Sequence, residues 1–216
     1  MTMKIVKAET VLVSIPFEAG GIPPWSFGGA PKCAFDTLFV RLETESGVVG
    51  WGEAFSRNED TALKSLIDAR VLSLVLGRDA SQISKIEFDL EFQLQNFGRV
   101  GPIVYGISAV DTALWDIKGK AAGRSLVELL GGPFAGEVEV YASLLRYGNM
   151  DDVVKITRQA IERGYRYIKL HEVTLPEIHA AVEAAGNDAL VMLDANCPWS
   201  VAEALRFDEE LEPLGL

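Results

Sequence analysis

From Glu137 to Leu216 the chain repeats one rhythm three times, a short apolar strand followed by a capped helix. No other feature narrows the possible folds as far. Strand–helix–strand units with short connections lay their strands parallel in one sheet, with right-handed crossovers. The first strand is read over Val138 to Leu144, and its helix opens on Asn149 as N-cap and closes at Gly164. The second, Tyr167 to Val173, precedes Thr174 and Glu177 at the spacing of a capping box. The third, Leu190 to Ala195, precedes Ser200 and Glu203 at the same spacing. A full eight-unit barrel takes roughly 250 residues, whereas these 80 cover three units. A small open sheet, complete in itself, is the competing reading, but it leaves two strand edges uncovered. The expectation is a chain that stops where a fourth strand would begin.

The residues before Glu137 follow a different plan. Val11, Val13 and Ile15 alternate with Thr10, Leu12 and Ser14, and Leu38, Val40 and Leu42 alternate with Phe39, Arg41 and Glu43. Both have the period of a strand with one buried face. Glu45-Ser46-Gly47 supplies a turn, and Val48 to Trp51 a return strand. Phe17 to Lys32 is rich in Gly and Pro yet carries Trp25 and Phe27, which suits either a packed surface loop or a lid over a site. Helices are expected from about Asp60 to Leu76, from about Ser81 to Phe97, and from Pro102 onward. In the last, Ile103, Ile107, Val110, Leu114, Ile117 and Ala121 form one apolar stripe. The expected organisation is an α+β domain over residues 1–135 and three β/α units of a TIM-type barrel over residues 136–216.

The 20 basic residues against 31 acidic ones leave a net charge of −11. Such a surface repels nucleic acid and anionic membrane, so neither is expected as a partner. An anionic small molecule is not excluded, because a metal ion can hold it locally. Cys33 and Cys197 stand far apart and outside any Cys-x-x-Cys spacing, which fits two free thiols in a reduced, cytoplasmic setting. Met1 to Ile15 does not read as a signal peptide, and no apolar run approaches a membrane span.

Two strand ends carry chemistry. On the second parallel strand Lys169 and His171 share one face, while Ile168 and Leu170 share the other. If the apolar face meets the helices, the Lys-His pair points into the barrel near its C-terminal end, where barrel enzymes place their sites. A polar pair at a solvated strand end is the alternative. On the third strand Asp194 and Asn196 share a face, and a carboxylate followed by an amide suits a hard divalent cation. A helix-entry role is the alternative there. Gly50-Trp51-Gly52 lacks the third glycine of a dinucleotide fingerprint, no phosphate-binding P-loop occurs, and two histidines cannot make a multi-histidine zinc site.

The run Ser108-Ala109-Val110-Asp111-Thr112-Ala113-Leu114-Trp115-Asp116-Ile117-Lys118-Gly119-Lys120, continuing to Gly131-Gly132, resembles the last long helix of the capping domain in the mandelate racemase and muconate lactonizing family of the enolase superfamily. Gly50-Trp51-Gly52-Glu53-Ala54 resembles its capping hairpin, Tyr141-Ala142-Ser143 its first barrel strand, Lys169-Leu170-His171 its Lys-x-Lys strand and Leu193-Asp194-Ala195-Asn196 its metal-aspartate strand. The resemblance implies an α+β capping domain followed by a partial barrel. It implies a Mg2+-dependent isomerase or lyase, a dehydratase, racemase or epimerase that removes the proton α to a carboxylate of an acid sugar, hydroxy acid or amino-acid derivative. It implies Asp194 as a metal ligand, Lys169 and His171 as catalytic groups, and Asn196, Trp25 and Phe55 as substrate contacts. His171 departs from the family pattern, which has lysine there. The resemblance further implies a homo-oligomeric full-length form, further metal ligands on strands beyond this chain, and therefore a catalytically incomplete fragment as the alternative.

Overall fold

A computed structural model describes residues 3–17, 34–56, 60–132 and 136–216. They fall into two compact units, the first holding residues 3–15 and 34–132, the second residues 16–17 and 136–216.

In the first unit β1 (Ile5–Pro16), β2 (Ala34–Thr44) and β3 (Val49–Ala54) form a sheet in that order. Leu38, Val40 and Leu42 are wholly buried, as their alternation requires. β1 differs from expectation. Its buried side chains are Ile5 and Thr10, while Val11 and Val13 are only partly covered and Ile15 is exposed. The helical stretch after it is α1 (Asp60–Leu66) and α2 (Leu72–Val75), joined by a π-helical turn over Ile67–Val71. α3 (Ile83–Leu94) and the long α4 (Pro102–Ala122) follow, then the short α5 (Leu126–Leu129) with Ser125 and Glu128 in a capping box. The α4 stripe is buried from Ile103 to Ile117, but Ala121 is exposed, so the stripe ends a turn early.

α4 lies unusually close to β3, and two glycines make this possible. A Cβ on Gly52 would stand 1.9 Å from the Ala109 carbonyl oxygen, and one on Gly50 would stand 2.2 Å from that of Ala113. Polar groups of the same helix then meet the backbone of this outer strand. The Trp51 N–H donates to Asp116 Oδ2 at 2.9 Å, and Lys120 Nζ donates to the Val49 carbonyl at 2.9 Å. An edge strand with satisfied backbone groups is a poor template for unwanted pairing.

In the second unit β4 (Ala142–Ser143), β5 (Tyr167–Leu170) and β6 (Leu190–Leu193) run parallel in that order. α6 (Met150–Glu162), α7 (Leu175–Ala185) and α8 (Val201–Leu211) alternate with them. Ile168, Leu170 and Val191 are buried with Val153, Ile156, Ile178, Ala181 and Leu211, so the apolar strand face meets the helices. Asn149 caps α6 by accepting the Asp152 N–H, and Ser200 with Glu203 forms the full capping box of α8. The box expected for α7 does not form. The Thr174 hydroxyl bonds the Glu177 carboxylate instead of a backbone N–H, and Pro176 in that first turn has no N–H to cap. All three strands are shorter than their apolar runs. Val138, Val140 and Tyr141 are exposed ahead of β4, and His171 and Asp194 each follow the last residue of their strand.

Among the described residues no helix is long and apolar enough to cross a membrane.

Candidate active site

The sheet's polar face gathers at the ends of β5 and β6. Lys169 pairs with Met192 across the ladder, and the Asp194 N–H continues it by donating to the Leu170 carbonyl at 3.0 Å. That register brings Asp194 beside both polar residues of the neighbouring strand. Lys169 Nζ lies 3.3 Å from Asp194 Oδ2, and His171 Nδ1 lies 2.7 Å from the Asp194 carbonyl oxygen. The lysine–aspartate contact is long for a charge-assisted bond, and the Asp194 side chain is 45% exposed, so the pair is loose and open to exchange. The face of Tyr141 covers the ammonium from another side, its ring centre 5.5 Å from Nζ.

Asn196 arrives by a route that strand alternation does not describe. It and Cys197 both have φ near +57°, the left-handed region that few residues other than glycine enter. The chain therefore turns back on itself after Asp194. The Asn196 N–H donates to Asp194 Oδ1 at 3.2 Å, and its side chain comes within 2.8 Å of His171 Nδ1. Asp194 is held below the usual carboxylate range, first by that backbone N–H and then by Lys169, with the field of His171 adding to both. It stays ionised through neutral pH.

The imidazole contact fixes a proton. A carbonyl oxygen can only accept, so at 2.7 Å Nδ1 must carry the hydrogen and donate it to the Asp194 carbonyl. A protonated Nδ1 has no lone pair for an amide N–H. With the Asn196 amide oxygen turned to the ring, the single Nδ1–H is shared between that oxygen and the Asp194 carbonyl. Nε2 makes no hydrogen bond among the described residues, and in the neutral ring it is the nitrogen able to take a proton.

Three residues that the sequence had not marked as part of the site complete the surroundings. Besides Tyr141 these are Arg146, whose guanidinium donates to the His171 carbonyl, and Glu172, which is 2% exposed and accepts two backbone N–H groups. Burial pushes the Glu172 carboxyl up, against the pull of the Tyr147 and Gly148 N–H groups. Burial also pushes the Tyr147 phenol up to about 12, which removes it as a base near neutral pH. The sequence did carry one signal. Ile168, Leu170 and Glu172 share a strand face, and an acid in an apolar row is the informative kind of exception.

Phe55 belongs to the first unit, where its ring meets Tyr105 edge-on with centres 5.6 Å apart. Trp25 and Cys33 lie outside the described residues, and Cys197 is exposed and free. Two sizeable cavities have other linings. One of about 490 Å3 is lined by Phe88, Phe92 and Arg99, and one of about 510 Å3 beside β6 by Trp199 and Phe207. Neither is lined by Lys169, His171 or Asp194.

The donor set fits one corner of a magnesium shell. Asp194 offers an accessible carboxylate, and the Asn196 amide oxygen keeps a second lone pair besides the one facing His171, both hard donors. Among the described residues no group of three or more His, Cys, Asp or Glu side chains gathers to hold a metal. Magnesium is commonly held by one or two carboxylates, with water and substrate oxygens filling the rest of the octahedron.

Comparison with known proteins covers most of the length. Residues 29–131 match the family model described as mandelate racemase / muconate lactonizing enzyme, N-terminal domain, and residues 152–216 match the one described as enolase C-terminal domain-like. The arabinonate dehydratase of Saccharolobus solfataricus is 30% identical over 197 residues, which cover 87% of this chain and 52% of that protein. The 3,6-anhydro-alpha-L-galactonate cycloisomerase of Streptomyces coelicolor is 34% identical over 196 residues, 84% of this chain and 52% of the relative. The crystal structure of L-talarate/galactarate dehydratase from Salmonella typhimurium LT2, liganded with Mg and L-lyxarohydroxamate, superposes with a TM-score of 0.83 at 27% identity. It is matched over 99% of this chain and 57% of its own. The chain thus spans about half the length of the curated relatives it matches.

Proposed function

The chain belongs to the mandelate racemase / muconate lactonizing enzyme family of the enolase superfamily, and from that premise we propose that Lys169, His171 and Asp194 serve the removal of the proton α to the carboxylate of an acid sugar. The observation that carries this reading is the convergence of Lys169 and His171 on Asp194 at the ends of two adjacent parallel strands. The relatives named above are dehydratases and a cycloisomerase of sugar acids or their derivatives, and one was crystallised with magnesium and an acid-sugar analogue.

The chemistry asks for three things. A carbon acid next to a carboxylate is weak, so the charge that appears on the carboxylate oxygens must be met as the proton leaves. When bound at Asp194 and Asn196, Mg2+ supplies that counter-charge. Lys169, loosely paired and free to turn from Asp194, orients the substrate carboxylate through its ammonium. His171 takes the α-proton on Nε2 while Nδ1 stays on the Asp194 carbonyl, so the ring does not rotate as it becomes cationic. Phe55 and Trp25 are proposed to contact the remainder of the substrate, and the protein is proposed to act as a homo-oligomer.

Exchange of the α-proton in D2O tests the reading directly. A panel of acid sugars, with and without Mg2+, is followed by proton NMR. Exchange is expected to depend on Mg2+ and to fall about 100-fold or more in Lys169→Met and His171→Asn. Exchange that persists in both variants would sink the assignment.

A further inference from the structure

We infer that Arg146 and Glu172 are positioning residues for His171, clamping the loop after β4 to the residues that follow β5 so that the imidazole is held with Nδ1 on the Asp194 carbonyl. The claim about the ring stands on geometry alone. Its effect on rate rests on the proposed role of His171.

Ending β5 at Leu170 and β6 at Leu193 leaves backbone carbonyls just beyond the strands without ladder partners, and such groups need a donor. Arg146 provides it. Its Nε–H donates to the His171 carbonyl at 2.8 Å and a terminal nitrogen reaches the Ala195 carbonyl at 3.5 Å. One planar guanidinium therefore ties the ends of both strands, which a lysine's single nitrogen cannot do in the same way.

The return bonds run the other way. Glu172, next to His171, accepts the Tyr147 N–H at 2.7 Å and the Gly148 N–H at 3.2 Å. So residue 146 reaches the backbone of residue 171, and residue 172 reaches the backbone of residues 147 and 148. Crossed bonds between two pairs of neighbouring residues resist both sliding and twisting of one segment on the other. A carboxylate this buried is costly unless its oxygens are occupied, and an apolar side chain would fill the space without that cost. The acid earns its place through the bonds it makes to the loop.

The consequence falls on His171. Its carbonyl is fixed by Arg146 and its neighbour's side chain is fixed by the loop, so its own side chain leaves the backbone from a defined point. The 2.7 Å contact with the Asp194 carbonyl needs that point. Arg146 and Glu172 touch no part of the reacting group and act through the imidazole.

The test reads the ring itself. The chain contains only two histidines, and His179 is exposed, so it serves as the internal reference. In the full chain labelled with 15N-histidine, long-range 15N–1H correlation at a pH where imidazole is neutral shows which ring nitrogen carries the proton. His171 is expected to carry it on Nδ1, unlike His179. In Arg146→Ala and Glu172→Gln, with the far-UV circular dichroism retained, the His171 pattern is expected to move towards that of His179. Arg146→Lys, which keeps a donor for the His171 carbonyl, is expected to retain the original pattern in large part. The exchange rate with acid sugars is expected to fall about 10- to 100-fold in Arg146→Ala, mainly in kcat. Should Arg146→Ala fail to fold, Glu172→Gln and Arg146→Lys decide the matter. A folded Glu172→Gln whose His171 pattern matches the parent chain overturns the inference. Absence of exchange in the parent chain, with the ring pattern still shifting in the variants, overturns the proposed chemistry and leaves the positioning intact.

Discussion

Adding one methyl group at Gly52 is the sharpest perturbation this fold offers. The Cβ of Gly52→Ala would lie 1.9 Å from the Ala109 carbonyl oxygen, where contacts below 3.0 Å are essentially never seen. The obstacle is main chain, so no rotamer change relieves it, and α4 must move away from β3 by about 1 Å, enough to forfeit a quarter to a half of each dispersion contact across that seam. Ala109, Ala113 and Ile117 all face it and are wholly buried. The same movement stretches the Trp51–Asp116 and Lys120–Val49 bonds, both 2.9 Å now, out of hydrogen-bonding range. Overpacking costs about 1–3 kcal/mol and each lost bond about 1 kcal/mol, which places the loss at about 3–5 kcal/mol. The natural control is Gly47→Ala, where φ is +82° and nothing lies within 4 Å of the added methyl. That substitution bears backbone strain alone, about 1–2 kcal/mol. Urea unfolding followed by circular dichroism compares the two through their midpoints. Equal destabilisation by the two substitutions would refute the packing argument, and so would rescue of Gly52→Ala by Ala109→Gly, because that second change leaves the offending oxygen where it is.

Three further outcomes follow from the second unit. Asp194→Asn is expected to weaken Mg2+ binding about 10- to 100-fold in titration calorimetry, and unchanged affinity would remove Asp194 from the metal's ligands. Burial raises the folded-state pKa of Glu172, so its contribution to stability is fully present below the unfolded carboxyl value of about 4.3 and is lost as pH rises through the raised value. The parent chain, measured against Glu172→Gln by urea midpoints, should therefore lose ground between acid and neutral pH, and a difference growing in the opposite sense would contradict the assignment. Asn149→Ala removes the acceptor of the Asp152 N–H at the start of α6, and a loss of about 1 kcal/mol, or about 2–4 °C in Tm, is expected in a thermal melt.

What the sequence disclosed and what it hid divide along a physical line. Properties set by chain periodicity were legible. The alternation of Ile168 and Leu170 with Lys169 and His171 gave both the buried face and the polar one, and the capping residues Asn149 and Ser200 marked their helices from local spacing alone. Even where a strand was read too long, parity carried the right answer, since His171 and Asp194 meet just past their strands. Properties set by loop geometry were not legible. Asn196 was read as sharing a strand face with Asp194, yet it reaches His171 through a left-handed turn that alternation cannot foresee. Arg146 is separated from its two acceptors by 25 and 49 residues, with no period connecting them. The glycines of the β3 hairpin lie between these cases. Their place was recognisable by resemblance, but the reason for them exists only across the seam with α4, where a side chain would occupy the space of a backbone oxygen. A site at strand ends is thus announced by the strands and tuned by the loops. Substitutions at the announced residues should remove the chemistry, whereas those at Arg146 and Glu172 should misplace it, and the state of one imidazole ring is where the two effects part.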